Sequence, residues 1–431
     1  MRRPIQGGAA FPVILTGETV SLLGSVLSGF AVSIHAFQQT RTVTTYALIS
    51  LAAILPGLLV SPFAGQVVDR WDRGTVMRLG NLASAASTGL VAVLGLSGQL
   101  ELWHIGVLSA VNSLVAAFHL LAFEAATTLL VPPAQLARAS GAQQSGQALA
   151  QLVAPSAAGA LLAGIGLSGV LVVDALTFVF ALAAVALTEV PETGEAPQRE
   201  KTSWRFGLGY IGERPGLWGT LVIQAAINFA LGMATVLLLP LVLSLSTAAA
   251  FGGVMSAAGV GMLAGAGMVA AWGGPRRRVQ AVWMGGLLMA VALAAGGTAR
   301  SALSLGACAF AVGFATPLVN SAVQAIWQVK VPAALQGRVF AARRLVLGAT
   351  LPLAFALSGP LSDTVFEPAM RPEGRLAGWL GPLFGVGEGR GVAVILTLMG
   401  LVTLGFTAWA WMNPFVRDVE ATLPDAPPAR A

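Results

Sequence analysis

The sequence has one cysteine, Cys308, three histidines, and few charges: only 10% of its 431 residues are Asp, Glu, Lys or Arg. A lone cysteine excludes a disulfide framework and a thiolate metal cluster. His35, His104 and His119 leave little for a histidine-based metal site, and no cofactor or metal is called for. A typical soluble domain is ~25% charged. So few charges cannot cover the surface of a soluble chain this long, which excludes an ordinary cytosolic enzyme, a disordered chain and a nucleic-acid binder. The pI of 10.6 rests on a net charge of only +6 spread over short loops. No Gly-x-x-x-x-Gly-Lys-Ser/Thr loop occurs, which argues against ATP hydrolysis in this chain.

What is there is apolar. Hydrophobic residues make up 56% of the chain, and 52 glycines add to them. A helix needs ~20 mostly apolar residues to cross ~30 Å of hydrocarbon. Twelve stretches qualify: 11–37, 43–66, 79–97, 102–129, 142–165 and 168–187, then 217–243, 248–272, 279–298, 301–328, 345–364 and 391–412. The first is too long, and lacks the small-residue cleavage site, for a removable signal. Prolines inside the stretches (Pro56, Pro155, Pro240, Pro352) are tolerated where neighbouring helices satisfy the freed backbone groups.

Cytoplasmic loops of such proteins carry the Lys/Arg excess. With the N-terminus inside, 19 of the 24 basic residues fall on the cytoplasmic side and five (Arg41, Arg300, Arg371, Arg375, Arg390) on the other. An odd number of spans would blur this bias, so both termini are expected in the cytoplasm of a multi-pass cell-membrane protein. The expected organisation is a six-helix bundle over 1–188, a cytoplasmic linker over 189–215, a second six-helix bundle over 216–413 and a cytoplasmic tail over 414–431. An external connection, 362–390, carries Trp379, Leu380, Leu383 and Phe384 and reads as an interfacial segment on the headgroups, with a lid as the alternative.

The halves repeat. Val131-Pro132-x-Ala134-x-x-x-Arg138 recurs as Val331-Pro332-x-Ala334-x-x-x-Arg338, offset by 200 residues, and the match continues at Ala154/Ala354, Gly159/Gly359 and Leu161/Leu361. A same-orientation repeat points to two pseudo-symmetric bundles that present a shared site to either side by rocking.

Between the second and third stretches lies Gly65-Gln-Val-Val-Asp69-Arg70-Trp71-Asp72-Arg73. It resembles the loop signature of the major facilitator superfamily, Gly-x-x-x-Asp-Arg/Lys-x-Gly-Arg, with Asp72 in place of the second Gly and Gly74 in place of a trailing basic residue. The resemblance implies a cytoplasmic latch formed by Gly65, Asp69, Arg70 and Arg73. The fifth stretch, Gly141-x8-Ala150-x3-Ala154-Pro155-x2-Ala158-Gly159, is similar to that superfamily's antiporter motif, with Ala at three positions usually Gly. Ala still permits close helix approach, and Gly141, Ala154, Pro155 and Gly159 carry the likeness. With Gln135-Leu-Ala-Arg138-Ala, Asp174-Ala-Leu-Thr-Phe178 and Val331-Pro-Ala-Ala-Leu-Gln-Gly-Arg-Val-Phe340, the chain resembles the branch of enterobactin exporters and macrolide efflux pumps. The resemblance implies an all-α polytopic fold and drug:proton antiport. Glycines at 253, 261 and 265 with Ala257 need only be a packing face.

Polar residues inside the spans mark candidate function. Apart from Asp363 at the very end of the eleventh stretch, only three acids lie there: Glu18, Glu124 and Asp174, all in the first half. Burial raises a carboxyl pKa and makes proton uptake near neutral pH feasible, so all three are proton-coupling candidates. Glu18 begins a stripe with Ser21, Ser25, Ser28 and His35 at helical steps, one polar face on span 1. Asp174, with Thr177 one turn on, is equally suited to coupling or to pairing helices. Glu124 and His119 sit on different faces of span 4; His119 shares its face with Asn112 and reads as a satisfied interior histidine. In the second half Gln224, Asn228 and Thr235 line one face, and Thr316, Asn320, Gln324 and Gln328 another. The candidate cavity set is Ser21, Ser25, Ser28, Asn112, His119, Gln224, Asn228, Asn320 and Gln324. Phe30, Phe229, Phe314 and Trp327 read as packing or lipid-facing, with flat apolar contact to a large amphiphile as the alternative. By these boundaries no Arg or Lys lies inside a span, which argues against a small dianionic substrate such as a sugar phosphate; a cationic or large neutral amphiphile fits better, and a siderophore less comfortably.

The expected function is proton-coupled efflux of a drug-, macrolide- or siderophore-like amphiphile by a monomer, whose partners are its small-molecule substrate, protons and lipids. A lipid or lysolipid flippase, or an uptake carrier, is the alternative on the same fold. No His-x-x-x-His pair supports an enzyme, and a non-transporting scaffold fits the repeat and the buried acids less well.

Overall fold

The computed structural model describes residues 10–68, 70–132, 135–191, 204–273, 275 and 277–424. Among them the chain is helical throughout, with no β-strand. In order come α1 (Ala10–Thr40), α2 (Val43–Ala52), α3 (Leu55–Val68), α4 (Arg73–Leu96), α5 (Leu102–Leu130) and α6 (Leu136–Ala186). Then follow α7 (Trp204–Gly212), α8 (Pro215–Leu245), α9 (Ala248–Trp272), α10 (Arg278–Thr298), α11 (Ala302–Lys330) and α12 (Ala333–Pro360). The last are α13 (Glu367–Ala369), α14 (Ala377–Phe384), α15 (Arg390–Met412), α16 (Pro414–Arg417) and α17 (Val419–Thr422). The repeat element Ala134, most of the linker (192–203) and the end of the tail (425–431) lie outside the described residues.

Eleven helices among the described residues are long and apolar enough to cross a membrane. The longest, α6, runs 51 residues but is interrupted at Gly166, whose φ of 68° and ψ of 178° are open only to glycine. A straight helix of that length would be ~75 Å, far beyond one bilayer. The break therefore divides it into two crossings and restores the twelve expected from hydropathy. The second crossing is broken as well. Pro56 has no N–H, and its ring opposes the carbonyl four residues back. The chain turns at Ala53 and Ile54, where Ile54 N–H bonds Leu51 O at 3.1 Å before α3 resumes.

The chain separates into two compact units, 1–41 with 48–198, and 42–47 with 199–431. The repeat is visible in local structure. Helices α5 and α11 both have 29 residues at the 200-residue offset. Each opens with the third helical residue accepting the cap's N–H: His104 Nδ1 from Glu101 at 3.0 Å and Ser304 Oγ from Ser301 at 3.3 Å. Each ends at Val-Pro, because the residue before proline is driven out of the α region.

In unit 1, α1 packs on α6, α4 on α5 and α6, and α3 on α5. Its cores gather Ile14, Met77, Ala122 and Val185 at one level and Leu27, Val91, Ile105 and Val170 at another. In unit 2, α8 packs on α12 and α15, α9 on α11, and α10 on α11 and α15, around a core that includes Leu221, Met289, Val323 and Trp327. The glycine row of α9 is the packing face expected of it: Gly261 and Gly265 press onto the carbonyls of Phe310 and Phe314 so closely that no Cβ fits.

Three boundaries differ from the sequence reading. Helix α12 starts at Ala333, twelve residues earlier than expected, and continues through a π-helical segment, Leu361–Phe366, into α13. Residues 362–369 are therefore helix, not external loop. The linker holds the helix α7, whose Gly207 abuts the backbone of Arg338. The tail folds back onto unit 2: Val416 and Val419 are buried, Lys330 Nζ donates to Glu420 O at 2.6 Å, and Glu420 Oε2 accepts Val279 N–H at 3.1 Å. In the external segment α14 buries Phe384 and exposes Trp379 and Leu383.

Asp72, the departure from the loop signature, has a local task. It is the N-cap of α4, accepting Thr75 N–H at 2.6 Å, with Arg78 Nη2 at 3.4 Å. Partial burial pushes its carboxyl up, but the Thr75 bonds and the Arg78 charge outweigh this and hold it below the ordinary range. The cap is thus complete above the ordinary carboxylate range and is lost as pH falls through the lower, folded value. Asp72→Ala is expected to destabilise the protein by about 0.5–2 kcal/mol, and Asp72→Asn by much less, in thermal unfolding of the detergent-purified protein at neutral pH. Equal losses would remove the capping role.

Candidate functional site

The polar stripe of α1 faces a cavity of about 600 Å³ that belongs to unit 1 alone. Glu18, Ser21, Ser25 and Ser28 line it from α1, Asn81, Ser84 and Thr88 from α4, Asn112, His119 and Glu124 from α5, and Gln143, Gln147 and Asp174 from α6. His35 is not among its walls; it bonds Gln39 Nε2 at 2.9 Å on its own helix.

Two carboxylates are held in the cavity by different means. Glu18, whose side chain is 12% exposed, accepts Asn81 Nδ2 at 3.2 Å, and His119 Nε2 lies 3.4 Å from the same oxygen. That separation is within ion-pair reach, but the N–H is misaligned, and Nε2 is buried without a hydrogen bond. The expectation of a satisfied interior histidine is therefore corrected. His119 faces an acid on another helix, not the Glu124 on its own, and a small rotation would join the two.

Asp174 is 2% exposed. Ser28 Oγ donates to its Oδ2 at 2.5 Å, and Thr177 Oγ1 lies 3.4 Å from Oδ1. It joins α6 to α1, the helix-pairing role, and it also lines the cavity. The close approach rests on Gly24: a Cβ there would sit 2.7 Å from Asp174 Oδ1 and nearer still to Thr177 Oγ1. Glu18 and Ser28 are ten residues apart, ~15 Å along the helix, with the hydroxyls of Ser21 and Ser25 between them. Asn112 is engaged by Ser87 Oγ at 2.6 Å. Glu124 is exposed and lines the same cavity.

The polar residues of unit 2 form a different constellation, organised by a residue the sequence reading placed in a loop. Because α12 begins at Ala333, Arg343 lies inside the apolar span Leu335–Ala369 and is 7% exposed. Its Nε and Nη2 donate to Gln224 Oε1 at 3.1 and 2.9 Å, and its Nη1 to Gln324 Oε1 at 2.8 Å. The 345–364 stretch itself holds no Arg or Lys, but a buried guanidinium lies just before it on the same helix, where the sequence reading placed a loop. Asn228 is half-buried and Asn320 exposed; Thr235 bonds only its own helix, to Leu231 O at 2.8 Å.

Of the loop motif, Asp69 lies outside the described residues, Arg70 is exposed, and Arg73 is buried with its Nε lacking a hydrogen bond. Of the antiporter-like motif, Gly141 is exposed, while Ala150, Ala154 and Ala158 are buried; Ala154 and Ala158 share a core with Leu27 and Ala31 of α1. Pro155 and Gly159 are buried beside them.

The sequence reading missed Asn81, Ser84 and Thr88, although their steps of three and four carried the same signal as the stripe on α1. It also missed Gln143, which donates to Thr127 Oγ1 at 3.0 Å, and Arg343, its counterpart at the 200-residue offset.

The family model described as Major Facilitator Superfamily matches residues 14–356. The chain belongs to the major facilitator superfamily. It is 25% identical over 377 residues to macrolide efflux protein A of Streptococcus pyogenes, covering 82% of this chain and 90% of that one. It is 24% identical over 326 residues to macrolide efflux protein A of Enterococcus faecalis, covering 70% and 97%. Among solved structures, the inward-facing, unoccupied bacterial homologue of the human lysosomal transporter Spinster matches with a TM-score of 0.74 at 14% identity, over 98% of this chain and 100% of that one. The nucleoside transporter NupG matches at 0.65 and 13%, over 92% and 99%. These structures share the superfamily fold. The efflux branch read from the motifs agrees with the sequence relatives.

Gly24→Ala is expected to force α1 from α6 and to destabilise the protein by about 1–3 kcal/mol, the usual range for overpacking. Gly29→Ala, where a Cβ meets nothing within 4 Å, serves as the neutral control in the same thermal-unfolding measurement.

Proposed function

We propose that this superfamily member is a proton-coupled exporter of amphiphilic small molecules of drug, macrolide or siderophore type. It works as a monomer in the cell membrane by alternating access of two six-helix halves, 1–188 and 216–413. Both termini and the 189–215 linker are cytoplasmic. The observation that carries this reading is the pair of carboxyl groups, Glu18 and Asp174, on long apolar helices lining one cavity, Glu18 held by an amide donor and Asp174 by a hydroxyl able to donate or accept. The similarity to macrolide efflux proteins supports the direction and the substrate class.

The physical cycle follows from these groups. Glu18 ionised is satisfied by Asn81 and attracted to a protonated His119; Glu18 protonated frees both. A proton that enters down a ~100 mV potential releases ~2.3 kcal/mol, and each unit of pH gradient adds ~1.4 kcal/mol. A substrate that occupies the cavity while Glu18 is ionised, and leaves when it is protonated, converts that energy into export. The hydroxyls of Ser21, Ser25 and Ser28 offer uncharged contacts along the way. Asp69, Arg70 and Arg73 act as the cytoplasmic latch, and the Ala150-Ala154-Ala158 face as the close-packed antiporter element. The exposed apolar side chains of α14 rest on the outer headgroups.

Everted membrane vesicles with an imposed pH gradient test the reading. Accumulation of a macrolide or another amphiphilic drug is expected in vesicles carrying the protein and not in empty ones. Glu18→Gln is expected to lower gradient-driven accumulation at least tenfold while gradient-independent substrate exchange persists. Unchanged accumulation in Glu18→Gln would remove this residue from coupling, and no accumulation of any amphiphile by the parent protein would remove the export reading.

A further inference from the structure

The repeat places matched positions of the two units side by side in chemistry. Glu124, Thr127 and Gln143 of unit 1 correspond, at the 200-residue offset, to Gln324, Trp327 and Arg343 of unit 2. In unit 1 Glu124 and Gln143 line the cavity. In unit 2 the same positions hold an amide and a guanidinium, with an indole at the third.

Arg343 is satisfied in hydrogen bonds but not in charge. Its acceptors are the neutral carbonyl oxygens of Gln224 and Gln324, and no carboxylate among the described residues pairs with it. The guanidinium carbon lies 5.0 Å from the ring centre of Trp327, a weaker compensation than an anion provides. A second donor is left over: Nε1 of Trp327, a fully buried residue, has no hydrogen-bond partner. A buried charge without an opposite charge is strongly disfavoured in a membrane span. An orphaned donor beside it means that this pocket of unit 2 is short of acceptors.

Gln324 is half-buried, and Asn320 and Gln328, a turn away on either side of the same face of α11, are exposed. The Gln324 amide thus stands between the guanidinium and the open polar face. A carboxylate that displaced its oxygen from Nη1 would exchange a neutral hydrogen bond for a charge-assisted one, which is roughly twice as strong.

We propose that Arg343, seated by Gln224 and screened by Gln324, is a recognition point for the acidic group of a carboxylate-bearing amphiphile. The inference rests on the transporter reading and narrows its substrate class: acidic amphiphiles, siderophore-like compounds among them, are bound in preference to their neutral forms. It does not depend on protons driving the cycle.

Binding separates it from the coupling question. The probes are 1-pyrenebutyrate and its methyl ester, titrated by fluorescence into the full-length protein in lipid nanodiscs, with empty nanodiscs subtracted. The parent protein is expected to bind the acid at least tenfold more tightly than the ester. Arg343→Gln is expected to abolish that preference by weakening the acid and leaving the ester unchanged. Arg343→Lys keeps the buried charge but loses the planar fork, and is expected to retain a reduced preference; it also guards against a folding failure in the Gln variant. Equal affinities in the parent protein, a preference that survives in both variants, or a parallel loss of acid and ester in both would each overturn the proposal. A positive binding result with no pH-driven accumulation would sink the export mechanism and leave this site standing.

Discussion

Hydrocarbon offers no partner to a polar group, so every charge carried into it must be met by the protein itself. That demand shapes the polar interior. Glu18 is met by Asn81 and His119, Asp174 by Ser28 and Thr177, and Arg343 by two glutamines. In each case at least one partner comes from a different helix, so the functional groups are also the ones that fix how the helices meet. Small residues make this geometry reachable: the approach of α1 to α6 at Gly24 is what brings a serine hydroxyl against a buried aspartate.

The two units solve the same demand with opposite signs. Unit 1 encloses carboxylates among hydroxyls and amides, whereas unit 2 encloses a guanidinium among amides and an indole. The helical frame beneath them is alike, down to the length of α5 and α11 and the Val-Pro that ends each. A duplicated scaffold has thus been given distinct electrostatics by substitution at matched sites. In a low-dielectric interior a single charge reaches further than in water, so few substitutions are needed.

Much of the architecture was legible in the sequence because hydropathy is a local property. Twenty apolar residues form a span whatever their neighbours, and the kink in α6 fell between the two stretches that composition had already separated. The stripe on α1 was legible for a similar reason: steps of three and four define a face, and a polar face in lipid has to turn inward. The failures share one cause. Arg343 looked like a loop residue because its neighbours Arg338 and Arg344 are charged and the apolar run begins after them. Only the continuation of α12 back to Ala333 carries it inside.

The sequence by itself determined that this chain is an all-helical membrane protein of twelve crossings, built as a repeat and belonging to the major facilitator superfamily, since span length, charge bias and motif spacing are written along the chain. Tertiary structure alone decided which polar residues meet. That Glu18 faces His119, that Asp174 accepts a hydrogen bond from Ser28, and that Arg343 rests on Gln224 all depend on contacts between helices far apart in sequence. Spacing along one helix fixes a face but not what the face looks at.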